Sequence, residues 1–98
     1  MSENSEDFRK CTPQTLANCM KLAVLEDKPV MFDYWNPSLE RTASIGVKEN
    51  KEKLLVKSEE EYTSPISKIY KVETEYIVVT ENSIYVVSDK IPTRKISA

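Results

Sequence analysis

The two runs Tyr76, Ile77, Val78, Val79 and Ile84, Tyr85, Val86, Val87 constrain this chain more than any other feature. They are wholly β-branched or aromatic, and only Thr80-Glu-Asn-Ser83 separates them. Such residues favour extended backbone, and a connection this short joins antiparallel neighbours. A strand with one wet face alternates apolar and polar residues, whereas these runs are apolar at both parities. Strands of that kind sit where both faces are covered. The rest of the chain must therefore supply the cover, from a helix or from a sheet that curls over.

The segment that can supply a helix lies near the start. Thr12-Pro13 offers a capping hydroxyl followed by proline at the first helical position, where its missing N–H costs nothing. Leu16, Cys19, Met20, Ala23 and Val24 then recur at three- and four-residue spacing as one apolar stripe, predicting a helix over 13–25. Glu26-Asp-Lys-Pro29 ends it, because the residue before proline is pushed away from helical geometry. The remaining segments read as short strands. Residues 30–35 alternate Val30, Phe32 and Tyr34 against Met31, Asp33 and Trp35, and Asn36-Pro-Ser38 is a turn signal. Residues 41–48 follow, with Ala43, Ile45 and Val47 on one face and Gly46 at a bulge or bend. Then come 53–57, 66–72, 76–80 and 83–87, with Asn82 the residue suited to left-handed geometry in the last hairpin.

A helix followed by five or six short antiparallel strands predicts an α+β domain. The helix packs on a strongly bent antiparallel sheet, either closing toward a small barrel or left open around the helix. The expected limits are an acidic flexible tail over 1–11, the domain over 12–91 and a C-terminal extension over 92–98. In this picture Leu16, Met20 and Ala23 are buried with Phe32, Ile45, Ile77 and Val86, so Met20→Ala should cost about 2–5 kcal/mol.

Composition narrows function by exclusion. The 98 residues are 40% hydrophobic and 31% charged, which suits one modest core. There is no histidine, the commonest proton carrier near neutral pH and the commonest metal ligand. There is one glycine, so no glycine-rich loop can close on phosphates. No enzyme activity, cofactor or metal is expected. Cys11 and Cys19 are the only cysteines; Cys19 reads as a small core residue and Cys11 as a thiol in a loop. The polar, acidic opening Met1-Ser-Glu-Asn-Ser-Glu-Asp7 is unlike a secretory leader. The expectation is a cytoplasmic or nuclear protein, of its source organism or of a host cell, with no membrane span.

Asp33 is the one acid inside an otherwise apolar run, yet no second acid or nucleophile is set beside it, so it reads as solvent-facing or paired with a cation such as Arg41. The run Ser58-Glu-Glu-Glu61 and the dipeptide Ser64-Pro65 read as solvated loop and turn, and each carries a serine open to phosphorylation. The aromatic cluster Phe32, Tyr34 and Trp35 is the best interaction candidate, because large rigid rings with a polar handle dominate interface energetics. Met31, Tyr34, Trp35 and Tyr85 are the expected partner-binding residues. Lys68 and Lys71 with Lys90, Arg94 and Lys95 form the one candidate basic rim, but a net charge of −2 sets nucleic-acid affinity no tighter than the nonspecific range of about 10⁻⁴–10⁻⁶ M.

The order of elements is similar to that of the Sm-like small barrels, which assemble into rings and bind RNA. The family's glycines and its Asp/Asn-rich loop are missing from the matching places, so RNA binding does not transfer. The stretch from Tyr76 to Val87, with Thr63-Ser-Pro-Ile66 ahead of it, resembles short uncharacterised proteins of large DNA viruses. The function expected from the residues is a non-enzymatic protein-interaction module that self-associates, holding a protein partner through its aromatic patch or a sheet edge. The alternative is a nucleic-acid-binding small barrel using the Lys/Arg rim. Self-association is expected through apolar surface left on 76–80 and 83–87, with Tyr85 or Trp35 at the contact.

Overall fold

In the computed structural model, which describes residues 11–96, the chain forms two four-stranded sheets and two helices. Helix α1 spans Pro13–Glu26. Thr12 caps it in extended geometry by accepting the Thr15 N–H, and Asp27 ends it with a left-handed backbone, φ 57°. Strand β1 (Val30–Met31) and the short helix α2 (Trp35–Leu39) follow. Then come β2 (Ser44–Val47), β3 (Lys53–Ser58), β4 (Glu61–Tyr62), β5 (Ile66–Val72), β6 (Glu75–Thr80), β7 (Ile84–Ser88) and β8 (Thr93–Lys95).

The first sheet has the order β1-β7-β6-β5 and the second β4-β3-β2-β8. Each combines antiparallel hairpins with one parallel pair, β1 with β7 and β2 with β8. The architecture is thus α+β with an N-terminal helix, but it is two mixed sheets and neither a closed barrel nor one bent antiparallel sheet. The difference has a local cause. The C-terminal residues read as an extension contribute β8, which pairs alongside β2 and completes a second sheet. The acidic tail read over 1–11 lies outside the described residues except for Cys11.

The two apolar runs become β6 and β7 at the centre of the first sheet, and both faces are covered. Val78 and Val87 face the second sheet, sharing a core with Tyr34, Ala43, Ile45, Leu55 and Ile91. Ile77, Val79, Ile84 and Val86 face the opposite way and pack with Cys19, Leu22 and Ala23 of α1. The layers are therefore helix, sheet and sheet. Because the fold buries β6 and β7 internally, the apolar surface expected to remain on them is not there.

The helix is rotated from the orientation its stripe implies. Thr15 and Cys19 are buried, with Leu22 and Ala23 partly so, while Met20 is 67% and Val24 81% exposed and Leu16 is also exposed. The reason is polar. Glu75, at the start of β6, is buried against the first turn of α1. Its Oε1 accepts from the Thr12 N–H at 3.2 Å, the Thr12 hydroxyl at 3.3 Å and the Thr15 hydroxyl at 2.6 Å, and Oε2 accepts from Thr74 Oγ1 at 2.8 Å. Burial pushes the Glu75 carboxyl up, but the hydrogen bonds from Thr15, Thr74 and Thr12 outweigh it and hold the pKa below the ordinary value. An ionised carboxylate at a helix N-terminus satisfies free N–H groups and opposes the dipole. It sets which side of α1 meets the sheet, whatever the apolar stripe prefers.

Three further expectations are corrected. The strand read over 30–35 stops at Met31, because the chain turns there: Trp35 N–H bonds Phe32 O and α2 begins. Phe32 is consequently 47% exposed, not core. The turn read at Asn36-Pro37-Ser38 is the body of α2, where Pro37 falls in the first turn and lacks no partner. Ser38, fully buried, donates to Trp35 O at 2.6 Å and accepts the Ser88 N–H at 2.9 Å, tying α2 to β7. The β6–β7 turn is closed by the Thr80 hydroxyl, which accepts the Asn82 and Ser83 N–H groups. Asn82 is not left-handed; Glu73, in the β5–β6 hairpin, is, at φ 55°.

Gly46 makes no bulge. It pairs regularly with Leu54 on one side and Arg94 on the other. Space is what requires it, since a Cβ there would lie 2.9 Å from Ile96 Cδ1 and 3.0 Å from Val56 Cγ2.

Candidate functional site

The residues expected to bind a partner separate by depth. Tyr34 is 4% exposed and packs edge-on against Tyr85, ring centroids 5.3 Å apart at 77°. Lys57 Nζ stands 4.7 Å above the Tyr34 ring and is drawn toward Asp33 at 3.9 Å and Glu61 at 3.7 Å. Burial, then Tyr85, Asp33 and Glu61, push the Tyr34 hydroxyl up to about 12, so it stays protonated at any physiological pH. Trp35 is half-buried against the cluster of Cys19 and Ile77. Met31, on the edge strand β1, and the neighbouring Phe32 are exposed. Asp33 is exposed and its cation is Lys57, not Arg41.

The basic rim is split in the fold. Lys68 is paired with Glu26 at 3.4 Å and Lys71 with Asp89 at 3.5 Å, both from β5 of the first sheet. Arg94 and Lys95 lie on β8 of the second sheet, and neither has an ion pair among the described residues. Ser58 is exposed and accepts the Glu60 N–H in the β3–β4 turn, while Ser64 accepts from Asn82 Nδ2. The two cysteines are free and buried in the same cluster. Burial and then the neighbouring Cys11 push the Cys19 thiol up to about 11; burial and then Glu75 raise Cys11. Such thiols are poor nucleophiles. No group of three or more His, Cys, Asp or Glu side chains is placed to hold a metal among the described residues.

Two surfaces stand out that reasoning from the sequence did not single out. The first is the outward face of α1. Leu16, Met20 and Val24 lie one turn apart on a single ridge, with Leu25 beside them 79% exposed. The spacing itself was legible, but the whole stripe was assigned to the core; Cys19 and Ala23 do face inward, and only Glu75 reveals that Thr15 joins them while Leu16, Met20 and Val24 turn outward.

The second surface is a groove of about 800 Å³ on the outer face of the second sheet. Alternation sends Ile45 and Leu55 inward and leaves Leu54 and Val56 of β3 outward. Leu54 is 6% exposed yet belongs to neither core cluster. Ile96, lying over Gly46, completes an apolar floor. Tyr62 of β4, paired opposite Val56, contributes an exposed ring, while Lys48, Arg94 and Lys95 bring positive charge and Glu59 one negative charge. Lys48 is held to Glu52 at 3.3 Å, which leaves Arg94, paired with Gly46 and on the same face, as the groove's uncommitted cation among the described residues, whereas Lys95 has the opposite strand parity.

Among the described residues no helix is long and apolar enough to cross a membrane. No family model, no curated protein and no solved structure matches this chain.

Proposed function

We propose that this chain is a non-enzymatic protein-interaction module that self-associates through the outward face of α1. The observation that carries the reading is that α1 is apolar on two sides and, among the described residues, the fold covers only one. A helix packed on a sheet ordinarily presents a polar outer face, whereas Met20, Val24 and Leu25 here are each more than two-thirds exposed. Apolar patches of this kind mark interaction surfaces. A second copy is the occupant the geometry favours. Leu16, Met20 and Val24 form a ridge at four-residue spacing, which packs against its own symmetry mate across a twofold axis. Met31 and Phe32, at and just beyond a β1 that α1 touches, add exposed apolar area. Of the four residues expected at a partner contact, Met31 suits this role, and Tyr34, Trp35 and Tyr85 serve chiefly to hold its surroundings in shape.

Sedimentation equilibrium tests the reading, with the double substitution Met20→Glu and Val24→Lys as comparison. Both positions are exposed, and the new charges form a favourable i,i+4 pair, so folding is preserved. The wild-type chain is expected to dimerise at micromolar concentration and the variant to remain monomeric. A wild-type monomer up to about 0.1 mM, where association would be weaker than about −5 kcal/mol, overturns the proposal. So does a variant that associates as strongly as the wild type.

A further inference from the structure

The groove on the second sheet has features that neither folding nor the α1 surface explains. The outer face of a sheet in so small a domain is ordinarily polar, but Leu54, Val56 and Ile96 pave it with apolar side chains, and Tyr62 stands exposed beside them. Its volume of about 800 Å³ falls within the range of about 300–1,000 Å³ usual for small-molecule sites. The charge is placed to one side. Arg94, on β8, has no ion pair among the described residues, as is true of Lys21, Arg41, Lys51, Lys53 and Lys90, but of these only Arg94 lines the groove, where the other outward cation, Lys48, is held by Glu52.

We infer that this groove binds a small amphipathic carboxylate, its apolar body lying on Leu54, Val56 and Ile96 against the Tyr62 ring and its carboxylate taken by Arg94, which pairs with Gly46 and so shares the outer face. A guanidinium presents two parallel N–H donors that match the two oxygens of a carboxylate. An apolar body removes the floor from water at roughly 25 cal/mol per Å². A nucleic-acid strand fits less well. Its affinity grows with the number of phosphates neutralised, and this groove has one uncommitted cation on its face, Arg94, and an acid, Glu59, among its lining residues. A single anionic head can sit at the β8 side without meeting Glu59. The site lies on the far sheet from α1 and does not depend on self-association.

Isothermal titration with decanoate and with 2-naphthoate tests the inference and separates an acyl from an aryl body. Decanol and 2-naphthalenemethanol serve as uncharged counterparts, and a single-stranded oligonucleotide as the polyanion. Saturable binding of at least one carboxylate is expected, at least tenfold tighter than its alcohol. Arg94→Gln, at an exposed position, should weaken carboxylate binding about tenfold and leave alcohol binding unchanged. Tyr62→Ala should weaken both. Thermal melting of each variant within a few degrees of wild type confirms that the fold is retained. The inference is overturned if neither carboxylate saturates the protein at millimolar concentration, if Arg94→Gln binds as the wild type does, or if the oligonucleotide binds more tightly than either carboxylate.

Discussion

Replacing Glu75 by alanine is the most informative perturbation of this fold. The side chain joins the first turn of α1 to the start of β6 through three hydrogen bonds on one oxygen, while its neighbour Thr74 donates to the other. Its removal strands the Thr12 N–H at the helix start and leaves the fully buried Thr15 hydroxyl with only the Thr12 hydroxyl, 3.0 Å away, as its side-chain partner. A buried polar group left without a partner costs about 1–3 kcal/mol. Loss of the carboxylate from the helix terminus adds about 0.3–1 kcal/mol. Glu75→Ala should therefore destabilise by about 1–4 kcal/mol, and Glu75→Gln, which keeps the shape and an acceptor, by about 1–2 kcal/mol. Urea unfolding at neutral pH measures both. The pH profile adds a second check. Because the folded-state pKa of Glu75 is lowered, its contribution is fully present above the unfolded value near 4.3 and is lost as pH falls through the folded value. The stability gap between wild type and Glu75→Gln should accordingly be widest above about pH 5 and shrink in acid. A loss below about 0.5 kcal/mol for Glu75→Ala, or a gap that does not change with pH, would refute the assignment of Glu75 as the residue that orients the helix.

Three other outcomes follow from packing and burial. Met20→Ala should change stability by no more than about 0.5 kcal/mol, as an exposed position does, whereas Ile77→Ala, fully buried beneath α1, should cost about 2–5 kcal/mol; equal losses in urea unfolding would mean that the helix is rotated the other way. Gly46→Ala should cost about 1–3 kcal/mol by driving a methyl into Ile96 and Val56, and Ile96→Ala in the same chain should restore part of it; a Gly46→Ala chain as stable as wild type speaks against the close approach. Cys19, with its thiol raised to about 11, should react with a disulfide reagent at neutral pH far more slowly in the folded protein than in denaturant; equal rates would show that it is not buried.

Much of this architecture was legible in local chemistry. Thr12 and Pro13 start a helix, Pro29 ends one, and the β-branched runs from Ile66 to Val87 form three consecutive antiparallel strands, because each signal acts within a few residues of where it is read. The double cover of β6 and β7 was legible too, since apolar residues at both parities leave no face for water. The candidate surfaces were not. Leu54 and Leu55 are adjacent and chemically alike, yet one closes the core and the other floors the groove, a distinction set by which face of the second sheet meets the first. Arg94 and Lys95 read as part of a tail until β8 pairs with β2, a contact spanning nearly fifty residues. Alternation set Val30, Phe32 and Tyr34 on the face opposite Met31; Met31 is exposed and Tyr34 buried, but Phe32 is exposed because the chain turns after Met31, which alternation cannot represent. By itself, then, the sequence determined the elements with strong local signals and the need for cover on both sides of the central hairpin. The tertiary structure alone decided the rotation of α1, because that rotation depends on Glu75, a carboxylate 60 residues from Thr15 whose hydrogen bonds exist only once the hairpin and the helix have met.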